Sequence, residues 1–410
     1  MRNEGVAVLD IGSTKVACLV ASADPSGEME VLAVGAERCT GVRKGAITDL
    51  EATAGAIDSA IRAAQKQLGG EIPKLTVGVS GPHVEGINAQ GIVPLYPHSR
   101  LITRGDVLQV INHSRQIMIP PDREMFQALP REFRVDGSRD VRRPVGMSGS
   151  RLEVTSYIVT GQAGQLQNLE KAIAMGGRRI DQLVLTALGS GLGVLSQEEL
   201  ENNAAVVDIG GGTTDVAVFA GGALAHYACV PVGGQHVTGD IAKLLKASPD
   251  EAERLKIRHA SAHAASVPEQ DSVEVMQIGQ TTARPLQRRV LCEIVESRMR
   301  EIATLVRQQL ERSGAYGNLP GGVVLTGGGS ALVGATRAFE EVLKHLRVRL
   351  GEPEVESPDE RVTSVPGLAA TMGMARFASQ CADNELAPAA GDAGWKHRVK
   401  SMLSLLAGKA

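Results

Sequence analysis

Asp10 and Asp208 head two copies of one pattern, and this duplication constrains the fold more than any other feature of the chain. The first copy reads Val8-Leu9-Asp10-Ile11-Gly12-Ser13-Thr14-Lys15. The second reads Val207-Asp208-Ile209-Gly210-Gly211-Gly212-Thr213-Thr214-Asp215. Each is an apolar strand, an Asp, a glycine turn bearing Ser or Thr, and a second apolar strand (Val16 to Val20; Val216 to Phe219). Both predict β-hairpins whose tips present backbone N–H groups and hydroxyls, a concave surface suited to an anion. Two such tips facing each other would clamp a phosphate chain from both sides. An Asp at each strand end would hold Mg2+ through its water shell, because that ion gives up water reluctantly.

A third segment, Val323-Val324-Leu325-Thr326-Gly327-Gly328-Gly329-Ser330, predicts a buried strand running into a glycine turn and then a helix. With no Cβ, Gly327, Gly328 and Gly329 let the backbone approach a flat base or sugar closely. Together the three segments read as an ATP site between two domains. A P-loop is disfavoured, since neither G-x-x-x-x-G-K-[ST] nor a strand followed by a helix-opening G-x-G-x-x-G is present.

Composition agrees with this reading. A chain of 410 residues predicts two or more domains with a sizeable core. Aromatic residues make up only 2%, so that core rests on Val, Leu, Ile and Ala. A net charge of −3 argues against nucleic acid as the main partner. The five cysteines are scattered without C-x-x-C spacing, which predicts neither disulfides nor a zinc site. No signal peptide is expected ahead of the first strand. No run approaches the ~20 apolar residues that a spanning helix needs.

The three segments resemble the first phosphate, second phosphate and adenosine motifs of the actin/heat-shock chaperone/sugar-kinase superfamily. Within it, the chain is similar to the FtsA family of actin-like bacterial cell division proteins along nearly all of its length. The matching segments are Leu129-Pro130-Arg131-Glu132-Phe133-Arg134-Val135-Asp136-Gly137 and Pro144-Val145-Gly146-Met147-Ser148-Gly149-Ser150-Arg151-Leu152-Glu153, then Ile158-Val159-Thr160-Gly161 and Val232-Gly233-Gly234-Gln235-His236-Val237-Thr238-Gly239-Asp240-Ile241.

The resemblance implies an α/β, two-domain actin-like ATPase fold with duplicated phosphate-binding hairpins and an inserted small subdomain. It implies ATP and Mg2+ as ligands, with Asp10 and Asp208 orienting the metal and its waters. Ser13, Thr14 and Lys15, beside Gly12, would hold the β- and γ-phosphates from one side. Gly210, Gly211, Gly212, Thr213 and Thr214 would hold them from the other. Gly327, Gly328 and Gly329 would line the adenosine, with Gly233 and Gly234 approaching the nucleotide more loosely. It further implies filaments of the chain itself on the cytoplasmic face of the cell membrane at the division septum. There the family anchors FtsZ filaments through the FtsZ C-terminal peptide and recruits later division proteins.

Along the chain, strands alternate with helical stretches, as in layered α/β folds. Strands are expected over 5–20, 31–37 and 74–80, with a helix over 49–67. Residues 82–161 read as the insert, with a helix near 106–117 and a loop-rich stretch from Pro120-Pro121 to Gly149. The first domain is then 1–81 with 162–203, and the second is 204–243 with 307–381. Residues 244–306 form the second domain's small subdomain, with 249–306 read as mostly helical. A linker over 382–394 is too poor in large apolar side chains to fold alone.

The last segment carries a second signal. Trp395, Val399, Met402, Leu403 and Leu406 recur at helical spacing, while Lys396, Arg398 and Lys400 mostly face away, and no acid occurs from 395 to 410. At ~1.5 Å per residue such a helix spans only ~20 Å, so it would lie in an anionic membrane interface rather than cross it. Packing on the protein's own core is the other reading of the same pattern.

Four further features carry weaker signals. Where the family commonly has Gln-Pro-Leu-Ala at the start of the connecting helix, this chain has Thr186-Ala187-Leu188-Gly189. Thr186 therefore stands where a water-positioning amide is expected, and hydrolysis should be slow or absent. His259 and His263 have zinc-ligand spacing but no evident third ligand, and read as surface or packing residues. Arg284, Arg288 and Arg289 read as a solvated face, or by the resemblance as part of the FtsZ-peptide subdomain. Arg289, Glu293, Glu296 and Arg298 are likewise either a solvated face or, by the resemblance, a border of the adenine pocket. An actin-fold pilus-assembly adaptor resembling PilM is the alternative to the whole reading.

Overall fold

The computed structural model describes residues 5–23, 29–72, 74–353 and 366–382. The linker over 383–394 and the terminal residues Trp395, Lys396, Arg398, Val399, Lys400, Met402, Leu403 and Leu406 lie outside the described residues.

Two five-stranded sheets form the body of the molecule. In the first, the order is Met29–Arg38, Lys15–Ala23, Val6–Ile11, Lys74–Val79 and Arg179–Leu185. In the second it is Ala223–Val230, Thr214–Ala220, Ala204–Ile209, Val323–Thr326 and Val348–Leu350. The same succession of antiparallel and parallel pairings builds both. The duplicated sequence pattern is thus the visible part of a duplicated sheet.

Central strands are apolar on both faces because both faces are covered. Helix Leu50–Leu68 packs on Met29–Arg38 and Lys15–Ala23, and helix Ala369–Ala382 on Val6–Ile11, Lys15–Ala23 and Lys74–Val79. Asp49 caps the former by accepting from the Ala52 N–H at 3.0 Å, and Gly69 ends it in the left-handed region. With few aromatic residues, the elements approach on small side chains: Ala56, Ala60 and Ala64 line the buried helix face. The connecting helix Thr186–Val194 crosses Ala369–Ala382 so closely that a Cβ on Gly373 would fall 1.8 Å from the Gly189 carbonyl oxygen. These two helices join the halves of the molecule.

The insert forms a four-stranded antiparallel sheet in the order Ser138–Val141, Arg123–Val135, Arg151–Gln162, Val84–Pro94. Helix Arg104–Ser114 covers one face, started by a capping box in which Thr103 and Asp106 exchange backbone bonds. The expected loop-rich stretch is instead dominated by the 13-residue strand Arg123–Val135. Pro130 within it has no N–H for the ladder. The sheet admits it opposite Ser156, where the register shifts at a bulge.

The segment expected to be mostly helical contains helix Pro249–His259, a hairpin of Ser272–Val275 with Arg284–Gln287, and helix Arg288–Arg312. Those strands have 4 residues each, too short for alternation to show in the sequence. The long helix runs unbroken through residue 306. His259 ends one helix and His263 lies beyond it, 3.8 Å from Glu341, so the pair does not share a helical face.

Candidate nucleotide-binding cleft

Between the two sheets lies a cleft of about 1140 Å³, walled by both hairpin tips. The tips are built alike. Ile11 pairs with Val16 and Ile209 with Thr214, and each turn is closed by one bond at 2.9 Å: Gly12 N–H to the Lys15 carbonyl, Gly210 N–H to the Thr213 carbonyl.

They meet side chain to backbone. A Cβ on Gly212 would stand 2.5 Å from Ser13 Oγ and 2.8 Å from Ser13 Cβ, and one on Gly211 would stand 2.3 Å from Thr14 Cγ2. The first tip's small side chains occupy the space that the second tip's glycines leave empty. Across the same gap, Gln235 Nε2 donates to the Ser13 carbonyl at 3.3 Å.

Asp10, Asp208 and Asp215 all face this cleft. Burial between the sheets pushes Asp10 up to about 6, with Asp208 adding repulsion and Lys15 opposing it. Burial also raises Asp208, against a 2.6 Å bond donated by Ser190 Oγ and the charge of Lys15. Asp215 rises furthest, to about 7, from burial and the nearby Asp208, despite a 2.7 Å bond from the Tyr227 hydroxyl. Three crowded acids beside one lysine leave an excess of negative charge that a divalent cation would offset. The donors are hard oxygens of the kind Mg2+ prefers. Among the described residues no three His, Cys, Asp or Glu converge tightly enough to hold an ion alone. This set therefore fits a magnesium carried largely by phosphate and water.

Other expected residues divide between wall and support. Gly12, Ser13, Thr14, Lys15, Thr186, Thr213, Gly234, Gly327, Gly328 and Gly329 lie on the wall. Thr214 does not: its hydroxyl donates to the Val232 carbonyl at 2.8 Å, because the strand pleat turns it away from the cleft. Gly233 is also behind the wall, packed under the second tip, where a Cβ would fall 2.5 Å from the Gly210 carbonyl oxygen. Gly327, at φ 82°, uses its missing Cβ to pass Asp208 Oδ1, whereas Gly328 has open space before it.

Sequence reasoning missed Asp215, Lys44, Gln235, Glu253 and Lys256. Asp215 was the discoverable one, since the hairpin register places it directly opposite Asp208 and hence on the same face. Glu253 and Lys256 come from helix Pro249–His259, which walls the far end of the cleft with Ile257. Lys256 Nζ donates to Glu253 Oε2 at 2.7 Å and Thr238 Oγ1 at 2.9 Å, a polar pair of the kind that can meet sugar hydroxyls. Arg289, Glu293, Glu296 and Arg298 of the long helix do not line the cleft. Arg298 is held by Asp240 at 2.6 Å, Glu296 by the Ala264 N–H and Arg300, and Arg289 by Glu293 and Glu269. That helix contributes Met299 to the cleft instead.

Residues 205–373 match the family model "Cell division protein FtsA", and residues 81–160 match "SHS2 domain inserted in FTSA". The cell division protein FtsA of Pseudomonas aeruginosa is 38% identical over 345 residues, covering 84% of this chain and 82% of that protein. Its counterpart in Neisseria meningitidis is 34% identical over 381 residues, covering 92% and 91%. The chain belongs to the FtsA family. The resemblance seen in the sequence is thereby shown, and so is the actin-like fold. Among solved structures, the PilM–PilN type IV pilus biogenesis complex aligns with TM-score 0.64 at 16% identity, over 91% of this chain and 98% of that one. Spiroplasma citri MreB5 bound to AMPPNP aligns with TM-score 0.54 at 14% identity, over 92% and 96%. At such identities these two establish the fold alone. FtsA-family membership also removes the PilM-like alternative as the family assignment.

Two outcomes are expected of this cleft. Gly212→Ala should hold the tips apart and weaken ATP binding at least about tenfold, the size of a small overpacking cost. Titration calorimetry checks it, and unchanged affinity would show that the tips need not touch. The second concerns pH. Asp10 and Asp215 bind protons more tightly folded than unfolded, so ligand-free stability should fall as pH rises from about 4 to about 7. Mg2+ with ATP should flatten that slope. Thermal unfolding across this range, with and without ligand, reads both effects.

Proposed function

We propose that this chain is an ATP-binding actin-like protein that polymerises on the inner face of the cytoplasmic membrane and anchors FtsZ filaments at the division site. Later division proteins would be recruited to that assembly. The observation that carries the reading is the pair of interlocking hairpin tips over three carboxylates, in a chain of the FtsA family. An anion wedged between the tips would be bound by backbone N–H groups from both domains. ATP would thereby set the angle between the domains, which a polymer of such subunits can read. Magnesium, when bound, would supply charge neutralisation on the phosphates. Asp10, Asp208 and Asp215 would accept from its waters, and Lys15 and Lys44 would add positive charge on the phosphate side.

No helix among the described residues is long and apolar enough to cross a membrane. Attachment is assigned to the amphipathic pattern at 395–410, with Trp395, Val399, Met402, Leu403 and Leu406 in the interface and Lys396, Arg398 and Lys400 toward anionic lipid. One short helix binds weakly and reversibly, whereas a polymer presents many at once, so assembly and attachment reinforce each other. The FtsZ peptide is assigned to the small subdomain that carries Arg284, Arg288 and Arg289. Arg288 is already paired with Asp271 at 3.2 Å and Arg289 with Glu269 at 3.5 Å, which leaves the exposed Arg284 on the outer hairpin strand as the first residue to test.

Thr186 opens the connecting helix on the cleft wall, with a hydroxyl where an amide's longer reach would position water. Turnover of ATP should be slow, and Thr186→Gln should raise it; a variant no faster than the parent removes Thr186 as the reason. The adaptor role is tested by recruitment of fluorescent FtsZ to anionic vesicles with ATP, comparing the full chain with one ending at Asp392. Recruitment by the full chain alone is expected. Vesicle coating without FtsZ would overturn the partner, and equal recruitment by both would return the terminal helix to the protein's own core.

A further inference from the structure

Tyr227, on the outermost strand of the second sheet, is enclosed by protein, and its hydroxyl has two partners. It donates to Asp215 Oδ1 at 2.7 Å and accepts from the Gly81 backbone N–H at 3.2 Å. Gly81 stands at the root of the insert, between the strand ending at Val79 and the one beginning at Val84. The backbone N–H of Tyr227 donates to the Tyr157 hydroxyl at 2.8 Å. Tyr157, 1% exposed, lies midway along the insert's strand Arg151–Gln162. One residue therefore touches a carboxylate of the cleft, the root of the insert and the insert's centre.

A second buried link runs beside it. Gln127 of the insert accepts from the Leu185 N–H at 3.0 Å, one residue before Thr186. Gln127 Nε2 and His83 Nδ1, both buried at this joint, have no hydrogen-bond partner among the described residues. The joint thus combines specific bonds with unused bonding capacity, which a second arrangement of the insert can draw on.

We infer that Tyr227 is a positioning residue that aims Asp215 into the cleft and transmits nucleotide occupancy to the orientation of the inserted subdomain. A magnesium nucleotide that draws the Asp215 carboxylate forward draws the phenol with it, because a buried hydroxyl left without its acceptor is costly. Gly81 N–H follows the hydroxyl, and Tyr157 follows the backbone of Tyr227. The insert's rotation is then one of the consequences of filling the cleft. This rests on the reading of the cleft as a magnesium–ATP site.

The test is amide hydrogen exchange of the full chain, with and without Mg2+ and ATP, in the parent and in Tyr227→Phe. In the parent, ATP should slow exchange roughly fivefold at 81–88 and 155–160, the protection one strengthened hydrogen bond gives. Tyr227→Phe keeps the ring and should abolish that response while the protein stays folded. Faster exchange by the same factor in both states would mean a structural role only, and would overturn the inference. Tyr157→Phe is the second variant: it should keep the response at 81–88 and lose it at 155–160. Calorimetric ATP binding without any response in the parent overturns the coupling alone. Absence of ATP binding in the parent overturns the cleft reading and the coupling with it.

Discussion

Ser13 and Thr14 lying against Gly211 and Gly212 is the contact on which the rest of the molecule depends. It brings the two sheets within van der Waals reach at their two glycine turns. Duplication supplied two identical hairpins, but two identical tips would collide or leave a gap. The copies have diverged into a bump and a hollow. The pair can close without strain, and each retains its ring of backbone N–H groups. A single methyl group on the glycine side would have to be absorbed by the angle between domains.

The electrostatics have diverged in the same complementary way. Lys15 and Thr213 occupy matching tip positions, as do Ala17 and Asp215 opposite the paired aspartates. One copy therefore brings the cation and the other brings the extra acid. Burial, with repulsion from Asp208 added, raises Asp10 and Asp215 toward neutrality, so ionising them costs the ligand-free protein stability. In the proposed reading, a ligand that brings a divalent cation offsets that cost.

The core of this architecture was legible in the sequence because its signals are local. Hairpin tips announce themselves by glycine and hydroxyl residues, and Asp49 and Gly69 punctuate a helix whose bounds could be read closely. What escaped depends on contacts distant along the chain. The strand through Pro130 exists because Ser156 lies across a bulge from it. Thr214 looked like a phosphate ligand because of its neighbours, yet the pleat turns it toward Val232. Glu253 and Lys256 carry no motif, and reach the cleft only because helix Pro249–His259 packs beside the second tip. Asp215 was within reach of sequence reasoning, since two residues opposite each other in a hairpin share a face.

Both helices that join the halves begin at the cleft. The connecting helix starts with Thr186 on its wall, and Gly367 and Ala370, at the start of Ala369–Ala382, also line it. Lys15 Nζ already donates to the Gly367 carbonyl at 3.2 Å. Helix N-termini attract anions, so a phosphate chain in this cleft would act on the starts of both helices as well as on the two hairpin tips. The helices cross through Gly189 and Gly373, where the absence of side chains permits a small roll about the contact. In the proposed reading, binding and domain rotation would be a single rearrangement. A ligand that satisfies the tips would then also bear on the crossing, because the residues that form the wall also begin the two helices.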